Sequence, residues 1–121
     1  MYTAYVDASD APHASGLAVV FDNRYIAVMV PRRGINRAEL EAFKFAVKII
    51  PQRPLHVVTD SKHVLAHAKA KGVTVEWRPR NSCYQLERAD RLSKLAVHTG
   101  KRQLGGLSGD PTTSCEIDLG P

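Results

Sequence analysis

The 121-residue chain has two cysteines, one tryptophan and no apolar run near the roughly 20 residues that cross a bilayer. Cys83 and Cys115 lack metal-ligand spacing and are too few for a disulfide framework. The expectation is therefore free thiols in a reducing compartment, with one Cys83-Cys115 bridge as the alternative. Met1-Tyr2-Thr3 begins no basic stretch followed by an apolar one, so no secretory leader is expected. The chain is read as soluble, cytoplasmic and monomeric, and it has no internal repeat and no low-complexity tract.

Positive charge is in excess. The formal charge is +5, and residues 102 to 121 carry Arg102 against Asp110, Glu116 and Asp118, which leaves residues 1 to 101 near +7. A body this basic favours a polyanionic partner through long-range attraction, although charge alone names none. A chain of this length buries roughly two-thirds of its unfolded surface and needs no staple.

Residues 3 to 9, TAYVDAS, alternate as a strand, with Thr3, Tyr5 and Asp7 on one face and Ala4, Val6 and Ala8 on the other. Pro12 and Gly16 mark a loop, and GLAVVF (16 to 21) and YIAVMV (25 to 30) flank Asp22-Asn23-Arg24 as a hairpin. Asn36 is a natural N-cap for RAELEAFKFAVKII, where Leu40, Phe43, Val47 and Ile50 make one stripe that ends at Pro51. LHVVTD (55 to 60) reads as a buried strand, and Ser61 caps a helix through Ala70 with Gly72 as its stop. VTVEWRP (73 to 79) alternates again, and Leu86 to Val97 form a last helix with Leu92, Leu95 and Ala96 inward. The order βββαβαβα predicts an α/β fold with a partly parallel sheet: one domain over 1-101 and an extended C-terminal tail over 102-121.

Four acids occupy positions where solvated surface charge is not expected. Asp7 lies inside the first strand, Glu39 in the first turn of a helix, Asp60 at the carboxyl end of a strand, and Asp90 early in the last helix. Each has a structural explanation: Glu39 and Asp90 suit a helix dipole, and Asp60 suits the capping of the next helix. Asp7 is the hardest to explain that way, because aspartate is a poor strand former. Ligand sites form at the carboxyl ends of parallel strands, so Asp7 and Asp60 become neighbours if their strands are adjacent.

YVDAS (5 to 9), NRAELEA (36 to 42), VVTDSKHV (57 to 64), and VEWRPRN followed by ERADRLSKLA (87 to 96) resemble, in order, the four motif blocks of ribonuclease H type 1. The resemblance spans residues 3 to 97 and implies a ribonuclease H-like mixed five-stranded sheet, strand order 3-2-1-4-5, flanked by helices. It also implies catalytic, metal-holding Asp7, Glu39, Asp60 and Asp90, with two Mg²⁺ or Mn²⁺ ions per site. Simple electrostatics agrees, because two carboxylates about 4 Å apart repel by about 4 kcal/mol at an effective dielectric of 20. Two hard ions held by such oxygens clamp a phosphate, activate water and stabilise the leaving oxygen.

The implied substrate is the RNA strand of an RNA-DNA hybrid, with duplex RNA as a second candidate, cut to leave 5′-phosphate and 3′-hydroxyl ends. Such recognition reads 2′-hydroxyls across the minor groove. By resemblance, Asn36, Ser9, Ser61, Arg80 and Asn81 contact substrate, and Arg32, Arg33, Arg37, Lys62, Arg78 and Arg88 are candidate phosphate contacts. Trp77 is read as core, and His13, His63, His67 and His98 as surface or core side chains rather than ligands or catalysts. The chain departs from the family at several points: Asp7-Ala8-Ser9 replaces Asp-Gly-Ser, Gly34-Ile35-Asn36 replaces a more polar stretch, and the loop RPRNSCYQ has no histidine. The alternatives are a non-catalytic nucleic-acid-binding module of the same fold and a resolvase or exonuclease of the superfamily. A pure binder gains nothing from four converging negative charges.

Overall fold

The structure, a computed structural model, describes residues 1–111. The Cys83-Cys115 pairing falls partly outside that range. Six strands and three helices follow one another as β1 (Tyr2–Asp10), β2 (Ser15–Phe21), β3 (Arg24–Val30), α1 (Ile35–Ile49), β4 (Leu55–Thr59), α2 (Lys62–His67), β5 (Val73–Trp77), α3 (Tyr84–Thr99) and β6 (Gln103–Gly105). They form a single mixed sheet in the order β5-β4-β1-β2-β3-β6. β1, β4 and β5 run parallel, and the remaining pairs are antiparallel.

The expected order is present with one strand more. Gln103–Gly105, read from sequence as extended tail, pairs with Ile26 and Ala27 of β3, so the sheet has six strands rather than five. Two glycines permit the approach: a Cβ on Gly105 would meet the Tyr25 ring, and Gly106 has φ +93 against the Arg24 side chain. Leu107 then turns into the core.

The β1 alternation is realised. Ala4, Val6 and Ala8 join the main apolar cluster with α1, while Tyr5 packs on the smaller cluster with Ala18, Val20, Ala27, Ala89 and Ala96 beneath α3. Gly16, a loop mark and the first residue of the expected GLAVVF run, lies within β2, and the α3 backbone passes so close that a Cβ there would strike the Ser93 carbonyl. At the hairpin, Asp22 takes the left-handed conformation, φ 57, that the tight turn needs.

Helix boundaries moved. α1 starts at Ile35 with Gly34 as its N-cap, φ 85, so Asn36 is inside the first turn and exposed rather than capping. The buried face of α1 is Ala38, Glu39, Ala42, Phe43, Phe45 and Ala46; of the expected stripe, Phe43 and the C-cap Ile50 are fully buried, and the buried face is wider than that stripe. Leu40 and Val47 are partly buried and pack against the margin of the same core. α2 stops at His67, three residues earlier than expected, although Ser61 does cap it by accepting from the Val64 N–H at 3.1 Å. α3 extends beyond Leu86 to Val97 at both ends, and its Leu95 is exposed while Leu86, Ala89, Ser93, Ala96 and Val97 are buried. Trp77 is half-buried at the end of β5, its indole N–H donating to the Asp60 carbonyl at 3.1 Å.

Candidate metal centre

The parallel pairing of β1 and β4 brings distant acids level. Tyr5 is registered with Val58, so two residues further along both strands reach Asp7 and Asp60 at the same edge of the sheet. α1 lays its buried face across that edge and delivers Glu39 from the first turns. One carboxylate oxygen each from Asp7, Glu39 and Asp60 lie within 4.8 Å of one another. Asp7 and Glu39 are buried, at 3% and 7% exposure, and Asp60 is half-buried.

Such a cluster is unstable in its charged form. Burial, then repulsion from Glu39 and Asp60, pushes the Asp7 carboxyl up to about 10. Burial, then repulsion from Asp60, raises Glu39 to about 8. Glu39 Oε1 is fully buried and has no hydrogen-bond partner. An orphaned carboxyl oxygen facing two more carboxyl groups fits a hard divalent cation, for which oxygen donors are the preferred ligands. Asp7, Glu39 and Asp60 would hold it.

Asp90 stands apart from that trio but lines the same cavity of about 530 Å³, with Ser9, Asp10, Ile35, Arg80 and Lys94. Arg80 approaches one of its oxygens at 3.4 Å and Lys94 the other at 3.1 Å. Lys94, Asp10 and Ile35 are the lining residues that sequence reasoning missed. Lys94 was visible as the i+4 partner of Asp90 on a helix. Asp10 and Ile35 carried no such signal, because only folding brings the end of β1 and the start of α1 to one rim.

The sequence-derived substrate contacts occupy varied positions. Ser9 lines the cavity with its Oγ buried and unpartnered. Ser61 is engaged as the α2 cap, Asn36 is exposed next to Ile35 and does not itself line the cavity, and Asn81 sits exposed in the loop before α3 with φ 56. Every candidate phosphate-binding cation has a partner within the chain. The Arg33 Nε–H is shared between both Glu41 oxygens at 3.0 Å, Arg78 bonds Glu76 at 2.6 Å, Arg88 stacks over Tyr25 and Lys62 over Trp77. Arg32, Arg37 and Arg80 pair more loosely, at 3.3, 3.3 and 3.4 Å, and keep side chains 58%, 73% and 62% exposed.

No helix among the described residues is long and apolar enough to cross a membrane. A search of curated proteins returned no match. A model of the RNase H family, however, matches residues 1–101, which contain all three clustered acids and the five strands in the expected order. By that match the chain belongs to the RNase H family, a family of nucleic-acid-binding nucleases.

Proposed function

We propose that this protein is a metal-dependent endonuclease that hydrolyses the RNA strand of RNA-DNA hybrids and leaves 5′-phosphate and 3′-hydroxyl ends. The observation that carries the reading is the convergence of Asp7, Glu39 and Asp60 within 4.8 Å in a chain whose net charge is +5. A basic body attracts the polyanion, and the acidic pocket needs cations before it can face a phosphate. Two Mg²⁺ or Mn²⁺ ions bound there would supply the positive charge that polarises the phosphoryl group and lowers the pKa of water.

The chain's own groups have separate tasks. Asp7, Glu39 and Asp60 hold the cations, and Asp90 completes the donor set from α3, oriented by Arg80 and Lys94. Lys94, on the cavity wall, offers an ammonium to the phosphate. Arg32, Arg37 and Arg80 hold the backbones on either side and the exposed Asn36 and Asn81 meet the sugar edges, while Ser9 lines the cavity with its hydroxyl buried and Ser61 keeps α2 capped. Arg80 and Asn81 lie in the loop before α3, which has no histidine of its own.

A panel of hybrid, duplex RNA, duplex DNA and branched DNA, each with Mg²⁺ or Mn²⁺, tests the reading. Cleavage of the RNA in the hybrid is expected, and Asp60→Asn should lower kcat by at least about a hundredfold with an unchanged circular dichroism spectrum. Undiminished cutting in excess chelator, or a preference for branched DNA, would overturn it.

A further inference from the structure

A second set of donors lies on α2, outside the acidic cavity. His63 and His67 stand one turn apart on this helix, their ring centroids 4.3 Å apart and their planes inclined by 38°. His67 Nδ1 lies 2.9 Å from the His63 carbonyl oxygen. A carbonyl only accepts, so Nδ1 carries the hydrogen, and the neutral ring presents its Nε2 lone pair away from the backbone. Metal-bound imidazoles are held in this way, one nitrogen tied to a carbonyl so that the other is aimed and made more basic. Among the described residues, no side chain hydrogen-bonds or ion-pairs with either ring. His67 is exposed and His63 half-buried, so an ion reaches both from solvent.

Two histidines four residues apart on one helical face can chelate a single ion. We propose that His63 and His67 form a second metal site, of imidazole class, that takes Zn²⁺ or a similar borderline ion with water completing its coordination. The two sites sort by ligand chemistry: carboxylate oxygens favour Mg²⁺ and Mn²⁺, whereas imidazoles favour Zn²⁺, Ni²⁺ and Cu²⁺. α2 has six residues, too few to hold a helix by itself, and its cap follows Asp60 directly. An ion bridging its first and last turns staples the segment that leaves the acidic cluster. The site does not depend on the nuclease reading.

Zn²⁺ is titrated into the full-length protein with millimolar Mg²⁺ present to occupy the carboxylates, and the histidine ring nitrogens are followed by long-range ¹H-¹⁵N NMR. The signals of His63 and His67 are expected to move together and to saturate at one equivalent, while those of His13, His56 and His98 stay in place. His63→Gln and His67→Gln, both outside the acidic cavity, should each weaken binding by about tenfold or more and leave hybrid cleavage in Mg²⁺ unchanged. Rings of His63 and His67 that do not respond to Zn²⁺, or single variants that bind as tightly as the parent, would overturn the proposal.

Discussion

At the scale of single residues, the central fact is a buried carboxyl oxygen with no hydrogen-bond partner, Glu39 Oε1. Glu39 Oε1 and the Asp7 carboxyl are tolerated in the cation-free protein by holding protons, since burial raises Asp7 to about 10 and Glu39 to about 8. The unfolded chain releases those protons near pH 4, so between pH 5 and 8 the native state binds more protons than the unfolded state. A carboxylate raised in this way contributes stability that is full below its unfolded value and is lost as pH climbs through its folded one. In chelator, the melting temperature should therefore fall steadily from pH 5 to pH 9. Asp7→Asn should flatten that slope, and Mg²⁺ should reverse it by favouring the charged form. A melting temperature that holds level or rises over this range would contradict the burial argument. Asp7 and Asp60 were legible as anomalies because an acid at an apolar strand has few structural uses. The protonation of Glu39 was not, because burial of a helix's first turn depends on what lies beneath it.

At the scale of elements, the start of α1 decides where Glu39 points. The helix has no side-chain cap of its own, and its entry is held from outside. Ser15, fully buried, donates to Asp10 Oδ1 at 2.7 Å and accepts from the Arg33 N–H at 2.9 Å, while the Gly34 N–H reaches the same Asp10 oxygen at 3.3 Å. Those donors and Arg32 draw the Asp10 carboxyl below its ordinary range, Ser15 most of all, so Asp10 stays ionised beside the cavity. Ser15→Ala strands the Arg33 N–H and should cost about 1 to 3 kcal/mol, read from urea unfolding. It should also lower kcat, because the turn that carries Glu39 loses its tether. Sequence reasoning placed the cap at Asn36, a sound choice on local propensity alone. The tether instead comes from Ser15 of β2 and Asp10 of β1, 18 and 24 residues before the groups they hold. No local rule contains that contact.

At the scale of the whole molecule, β6 solves an edge problem. Without it, β3 would present unpaired backbone groups that invite association with another sheet. Gln103–Gly105 covers part of that edge, and Leu107, 8% exposed, anchors the segment in the same core that supports α1. The Arg102-Asp110 ion pair and the Lys48 bond to the Asp110 carbonyl at 2.9 Å hold the far end. Leu107→Ala should therefore cost about 2 kcal/mol or more, at the low end for buried leucine. It should also raise the tendency to dimerise, measurable by light scattering. Unchanged stability would mean that the segment rests on the sheet without supporting it.

Alternation in β1, the two-residue turn at Asp22 and Asn23, and the helical periods of α1 and α3 follow from side-chain spacing. They determined the element order, and the motif blocks pointed to the family, because these signals are local and each lies within a few consecutive residues. The tertiary structure alone decided which face of α1 is buried, that the tail returns as a strand, and that three of the four acids close to 4.8 Å while Asp90 stays with Arg80 and Lys94. Those outcomes depend on competition among contacts between distant segments. Ala38, Ala42 and Ala46 share the buried face of α1 with Phe43 and Phe45, and two glycines admitted β6, because close approach of backbones is settled only when the whole core packs.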